Sequence, residues 1–124
     1  MNTSRLLLLL TLLLCSPRLH ADGVLKPVHG GRMVEADGYR LELVSGNGPL
    51  ELYVTDHDNR PVAVKNAKAK VTWMGETGKK ELSLIPTEGN RLTGDGADGG
   101  QRAAVIAIDG LAKRITARVP SGKP

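Results

Sequence analysis

The sequence predicts an all-β fold, an antiparallel β-sandwich of about seven strands with immunoglobulin-like topology. Three observations lead to this prediction. Apolar and polar residues alternate with a period of two in several short runs, which is typical of strands with one face in a core and one in water. Asn-Gly and Asp-Gly pairs separate the runs and favour tight antiparallel turns. No stretch combines helix caps with helical periodicity.

The alternating runs set the strand positions. In the run that begins at Tyr39, Leu41 and Leu43 alternate with charged residues. The segment from Ala103 to Ile108 is apolar throughout, which predicts a central strand covered on both faces. Turn signals at roughly every eight to twelve residues are typical of a sandwich. The predicted strands are, in chain order, 32–36, 39–45, 49–55, 68–74, 79–86, 102–109 and 112–119.

Two features refine this picture. Ala69, Val71 and Trp73 share one face of their strand, and we expect the tryptophan to be the large anchor of the core. Shorter strand-like pieces are expected near 61–64 and 90–94.

The amino terminus resembles a secretory signal peptide. A positively charged stretch with the amino terminus and Arg5 is followed by an apolar run over Leu6–Leu14, the helix breaker Pro17 and the small residue Ala21. This pattern predicts cleavage after Ala21 and a periplasmic protein, since the run is shorter than the roughly 20 residues that span a membrane. An uncleaved anchor and lipidation at Cys15 are the alternatives.

These features predict the organisation of the whole chain. We expect a signal peptide over 1–21, a flexible lead-in over 22–31, a β-sandwich domain over 32–119 and a flexible tail over 120–124. After cleavage we expect no membrane insertion.

Composition argues against several functions. Cleavage would remove Cys15, the one cysteine, and leave fifteen basic against thirteen acidic residues. Such a chain has no thiolate chemistry. Three aromatic residues and no basic block make nucleic-acid binding unexpected. The serines lie in strand or turn contexts without a nucleophile elbow, so we expect no enzyme activity.

A metal site is the remaining chemical possibility. After cleavage two histidines remain, His29 and His57, and both lie at the ends of predicted elements. Imidazole suits Zn²⁺ and Cu²⁺, and thioether favours Cu⁺. The candidate ligands are therefore His29, His57, Asp56, Asp58 and Met33. The alternative is that the histidines are solvated and that the aspartates serve only as turn formers.

Three segments carry a resemblance to a known family. They are the His-Gly-Gly start at His29-Gly30-Gly31 with the Glu-Leu-Val strand at 42–44, the Tyr-Val-x-Asp-His motif at 53–57 with Pro61-Val62, and the Leu-x-Pro-x-x-Gly-Asn-x-Leu segment at 84–92. The chain thereby resembles a family of small exported proteobacterial proteins, mostly uncharacterised, which is similar to modules associated with periplasmic heavy-metal efflux. The usual Asp-His-Gly turn of that family reads Asp56-His57-Asp58 here.

The resemblance implies export, a β-sandwich and a link to metal. We therefore expect a periplasmic protein that binds copper or zinc weakly and assists metal resistance or efflux, with a periplasmic efflux component as a possible partner. The alternative is a metal-free interaction module that pairs with another chain through a sheet edge. Leu50–Thr55 or Ala103–Ile108 could serve for this purpose if either lies at an edge.

Overall fold

The computed structural model describes residues 25–46, 48–75, 78–95 and 99–122. The predicted signal peptide, 1–21, lies outside these residues, as do the first part of the predicted lead-in and the last two residues of the predicted tail. Among the described residues, no helix is long and apolar enough to cross a membrane.

The described residues form eight β-strands and no helix. All pairings between these strands are antiparallel, and their order across the sheet is β1-β2-β3-β6-β5-β4-β7-β8. The strands are β1 (Arg32–Ala36), β2 (Tyr39–Val44), β3 (Leu50–Asp56), β4 (Lys68–Gly75), β5 (Gly78–Pro86), β6 (Arg91–Gly94), β7 (Ala104–Asp109) and β8 (Ile115–Val119).

The β1–β2 hairpin shows how local sequence sets this arrangement. Asp37 and Gly38 both have positive φ, 52° and 86°, and Ala36 pairs with Tyr39 across them. A two-residue loop with positive φ at both positions matches the right-handed twist of the flanking strands. The Asp-Gly pair therefore encodes the hairpin and its register.

The sheet curls until it is nearly closed. Most of β5 pairs with β4, whereas its last two residues, Ile85 and Pro86, pair with β6. This strand thus joins the two halves of the sheet. At the other side β1 contacts β8, and the guanidinium of Arg32 donates to the carbonyl of Pro120 at 2.8 Å. The same side chain also donates to the carbonyls of Gly100, Gln101 and Arg102.

The core lies inside the curled sheet. Alternate residues of β2, β3, β4, β7 and β8 point into it, together with Leu84 of β5 and Leu92 of β6. Trp73 is fully buried, as the alternation predicted. Burying apolar surface is the main stabilising term in such a fold. The other large buried apolar side chains include Leu41, Leu43, Leu50, Leu52, Leu84, Leu92, Ile106, Ile108 and Ile115.

The prediction of an all-β antiparallel fold is confirmed, but the finer prediction needs correction. The sheet has eight strands rather than about seven, and it is one continuous, barrel-like sheet rather than a clear immunoglobulin-like sandwich. Residues 91–94 form a full strand that connects β3 to β5, whereas 61–64 contribute only a bridge between Pro61 and Thr55. Alternation reports which face is buried, not which strands are neighbours.

Candidate functional site

A buried carboxylate on the outer face of the sheet organises the site. Because Leu41 and Leu43 point into the core, the residue between them, Glu42, points to the opposite face. Residues 28–31 of the predicted lead-in fold over this carboxylate, and its side chain is only 1% exposed. The backbone amides of Val28, His29 and Gly31 donate to it at 3.0, 2.7 and 2.9 Å.

These donors decide the charge of Glu42. Desolvation by burial raises the pKa of this carboxyl, but the hydrogen bonds from the amides of Gly31, His29 and Val28 and from the His29 ring lower it, and the net pKa is lowered. Hydrogen bonds to the charged form stabilise that form. Glu42 is therefore an ionised, almost fully buried carboxylate at neutral pH.

His29 is oriented by two contacts. Its Nδ1 lies 3.1 Å from Oε1 of Glu42. Its ring stacks on Tyr53, with the ring centroids 3.6 Å apart and the planes 5° from parallel. An ionised carboxylate can only accept a hydrogen bond, so Nδ1 carries the proton. In the neutral imidazole Nε2 is then the unprotonated nitrogen, and the side chain is 41% exposed.

Tyr53 is itself held in place. Its hydroxyl donates to the Glu51 carboxylate at 3.3 Å, and the Arg91 guanidinium donates to the other oxygen of Glu51 at the same distance. The stacking surface for His29 is therefore fixed by a chain of contacts that runs from β3 to β6.

A small pocket of about 60 Å³ opens beside the imidazole. Met33 of β1 forms part of the pocket wall. The structure therefore brings two of the predicted metal ligands, His29 and Met33, to one place. The hydroxyl of Thr55 is buried there without a hydrogen-bond partner. The pocket is lined by Val28, His29, Met33, Glu42, Tyr53, Thr55, Asn59 and Asn90.

The other three predicted ligands lie on the turn that follows β3. Asp56 accepts hydrogen bonds from the amides of Asp58 and Arg60 and from the Arg60 guanidinium. The bond from the Arg60 amide is the main cause that lowers the pKa of Asp56. The carboxylate thus serves as a turn former.

His57 and Asp58 are exposed on the same turn. His57 Nε2 lies 3.7 Å from Asp58 Oδ1, and neither residue lines the pocket at His29. Within the described ranges, no three His, Cys, Asp or Glu side chains form a group that could hold a metal ion. The predicted ligands therefore fall into two groups, one at the pocket and one on the turn.

Glu42 and Tyr53 are site residues that the sequence did not predict. A signal for Glu42 was present, because a charged residue between two core leucines needs a partner if it is covered. Gly31 was a second signal, since a Cβ at this position would overlap the backbone carbonyl of Leu43. Only a glycine allows the lead-in to approach β2 closely enough to cover the carboxylate.

No family model, curated protein or solved structure matches this chain. The candidate site is defined by its own contacts: a buried carboxylate, an imidazole held against it and a thioether on the same pocket wall.

Proposed function

We propose that this chain is an exported periplasmic protein that binds copper or zinc weakly at the His29 pocket. It would thereby assist metal resistance or efflux, alongside a periplasmic efflux component. The observation that carries the proposal is the hydrogen bond between His29 Nδ1 and Glu42. Histidines that bind metals commonly donate their second ring nitrogen to a carboxylate, which fixes the tautomer and makes the ligating nitrogen more basic.

The donor set at the pocket supports a weak site for a soft or borderline ion. Nε2 of His29 and the thioether of Met33 are the proposed donors, and Thr55 and Asn59 also line the pocket. Imidazole suits copper and zinc, and thioether adds a preference for Cu⁺. An imidazole and a thioether are fewer donors than the four of a structural zinc site, so the affinity is expected to be modest.

Isothermal titration with Cu²⁺ and Zn²⁺ at neutral pH tests the proposal. We expect saturable binding that His29→Ala abolishes. The matched control is His57→Ala, which removes an imidazole outside the pocket and should leave the affinity unchanged. The double variant His29→Ala/His57→Ala sets the background. Wild-type affinity no tighter than this background would overturn the proposal.

A metal-free interaction module is the second candidate. Both strands that the sequence suggested for edge pairing are paired on two sides, β3 with β2 and β6, and β7 with β4 and β8. Edge pairing through a terminal strand of the sheet would therefore use β1 or β8. These two strands contact each other, and Arg32 crosses between them. A partner strand would have to displace these contacts, and for this reason metal binding is the leading proposal.

A further inference from the structure

The outer face of β4, β5, β7 and β8 differs from the outer face that carries the His29 pocket. On the pocket side, basic side chains are matched by acidic ones: Arg40 lies 3.6 Å from Glu35, and Arg91 lies 3.3 Å from Glu51. Residues 28–31 also cover part of that side. On the other side, a groove of about 280 Å³ lies between strands and carries excess positive charge.

Small side chains create this groove. Lys70 of β4 stands between Ser83 of β5 and Ala107 of β7, its direct partners across the sheet. Neither partner fills the space beside the lysine, so a trough remains on both sides of it. Ile85 forms one wall and is 63% exposed, which makes it one of three large hydrophobic side chains that are exposed among the described residues.

The charges of the groove are only partly compensated. Lys68, Lys70 and Arg114 line it, against a single carboxylate, that of Asp109. Asp109 lies 3.5 Å from Arg114, and Glu81, outside the groove, lies 3.9 Å from Lys70. No described carboxylate lies within ion-pair distance of Lys68. Exposed pairs of this kind stabilise the fold little, so they can be exchanged for contacts with another molecule.

We propose that this groove is a docking surface for an acidic segment of a partner protein. Carboxylates of the segment would meet Lys68, Lys70 and Arg114, and an apolar side chain would pack between Ile85 and Ala107. Complementary charge sets the association rate and excludes wrong partners, and an apolar anchor in a pocket supplies affinity. This surface lies apart from the His29 pocket and does not depend on metal binding.

Features of the same face argue against other polyanions. Of the described aromatic side chains, Trp73 is buried in the core, and Tyr39 and Tyr53 lie on β2 and β3. The groove therefore lacks the stacking platform that single-stranded nucleic acids use. The two large hydrophobic side chains exposed on this face, Ile85 and Met74, also present much less apolar surface than a membrane-bound face does.

The test is a titration of the ¹⁵N-labelled protein, followed by amide chemical shifts. The probe is a synthetic peptide in which glutamates and leucines are interspersed. The control is the same peptide with lysine in place of each glutamate. We expect saturable shifts centred on Lys70, Ser83, Ile85 and Ala107 with the acidic peptide alone. A single-stranded oligonucleotide and anionic phosphatidylglycerol vesicles are titrated in parallel.

Variants separate docking from general ionic attraction. Lys68→Glu should weaken the acidic peptide about tenfold, since like charges across an interface are strongly unfavourable. Lys26→Glu makes the same change of charge outside the groove and should have little effect. Ile85→Ser should also weaken binding, although it changes no charge. All three side chains are exposed, and thermal unfolding verifies that each variant is folded.

Four outcomes would overturn the proposal. They are shifts scattered over the surface, equal binding of the two peptides, equal effects of Lys68→Glu and Lys26→Glu, and tighter binding of the oligonucleotide or the vesicles at this face. The last outcome would identify a different class of partner.

Discussion

His29 lies flat on Tyr53, with ring centroids 3.6 Å apart and planes 5° from parallel. The imidazole therefore packs on the outer face of β3, and Nδ1 of the same ring lies within hydrogen-bond distance of the buried carboxylate of Glu42. Nδ1 is thereby engaged with Glu42 inside the protein, and the lone pair of Nε2 remains available to a metal ion. The same contacts attach residues 28–31 to the sheet, so the candidate site and the docking of this segment depend on each other.

Removal of the charge at Glu42 should release the segment that covers it. In Glu42→Gln, an amide NH₂ replaces an oxygen that accepts from backbone amides, so at least one buried donor loses its partner. We expect a loss of about 1–3 kcal/mol in unfolding free energy. Hydrogen exchange at the amides of His29 and Gly31 should accelerate. Glu35→Gln is the matched control, because the Glu35 side chain is 44% exposed whereas that of Glu42 is 1% exposed. Unchanged protection in Glu42→Gln would contradict the assigned role of this carboxylate.

Stability should also depend on pH through Glu42. Its pKa is lowered in the folded state from the ordinary value of 4.5, so the unfolded chain binds protons more readily there. The stabilising contribution is therefore complete above about 4.5 and is lost as the pH falls through the lower, folded value. Denaturant unfolding at a series of pH values measures this.

The pH experiment needs two comparisons. In Glu42→Gln, the unfolding free energy should change less steeply with pH below the ordinary carboxyl pKa of 4.5. Asp56, whose pKa is lowered mainly by the Arg60 amide, contributes in the same range, and Asp56→Asn measures its share. If Glu42→Gln has the same pH profile as the wild type, the assignment of this dependence to Glu42 is wrong.

The core should not tolerate a methyl group at Gly99. A Cβ at this position would overlap the indole ring of Trp73, and Trp73 is fully buried. Gly99→Ala should therefore cost about 1–3 kcal/mol by overpacking. Gly46→Ala is the control, since nothing lies within 4 Å of a Cβ there. Equal thermal stability of the two variants would show that the contact with the tryptophan is loose.

The sequence predicts the strands of this protein better than their arrangement. Alternation located the core-facing residues Leu41, Leu43 and Trp73, and Asp37-Gly38 identified a hairpin. These are local properties. The position of β6 between β3 and β5 is set by contacts between distant residues, for which a single sequence has no local pattern.

The candidate site was predictable only where it depends on residues that are close in the sequence. His29 and Met33 are close in sequence and share a pocket, whereas His57 follows β3 on an exposed turn. The role of Glu42 depends on residues 28–31 folding back over β2. Such a return is a tertiary event, and the residues just before a first strand are commonly mobile.

The ring nitrogens of the two histidines test metal binding at the His29 pocket most directly. Two-bond ¹H–¹⁵N correlation spectra of the labelled protein are recorded during a titration with Zn²⁺. We expect a saturable shift of Nε2 of His29, while Nδ1 keeps its proton and donates it to Glu42. His29 nitrogens that stay unchanged at a Zn²⁺ concentration that saturates binding, or a shift confined to His57, would contradict it.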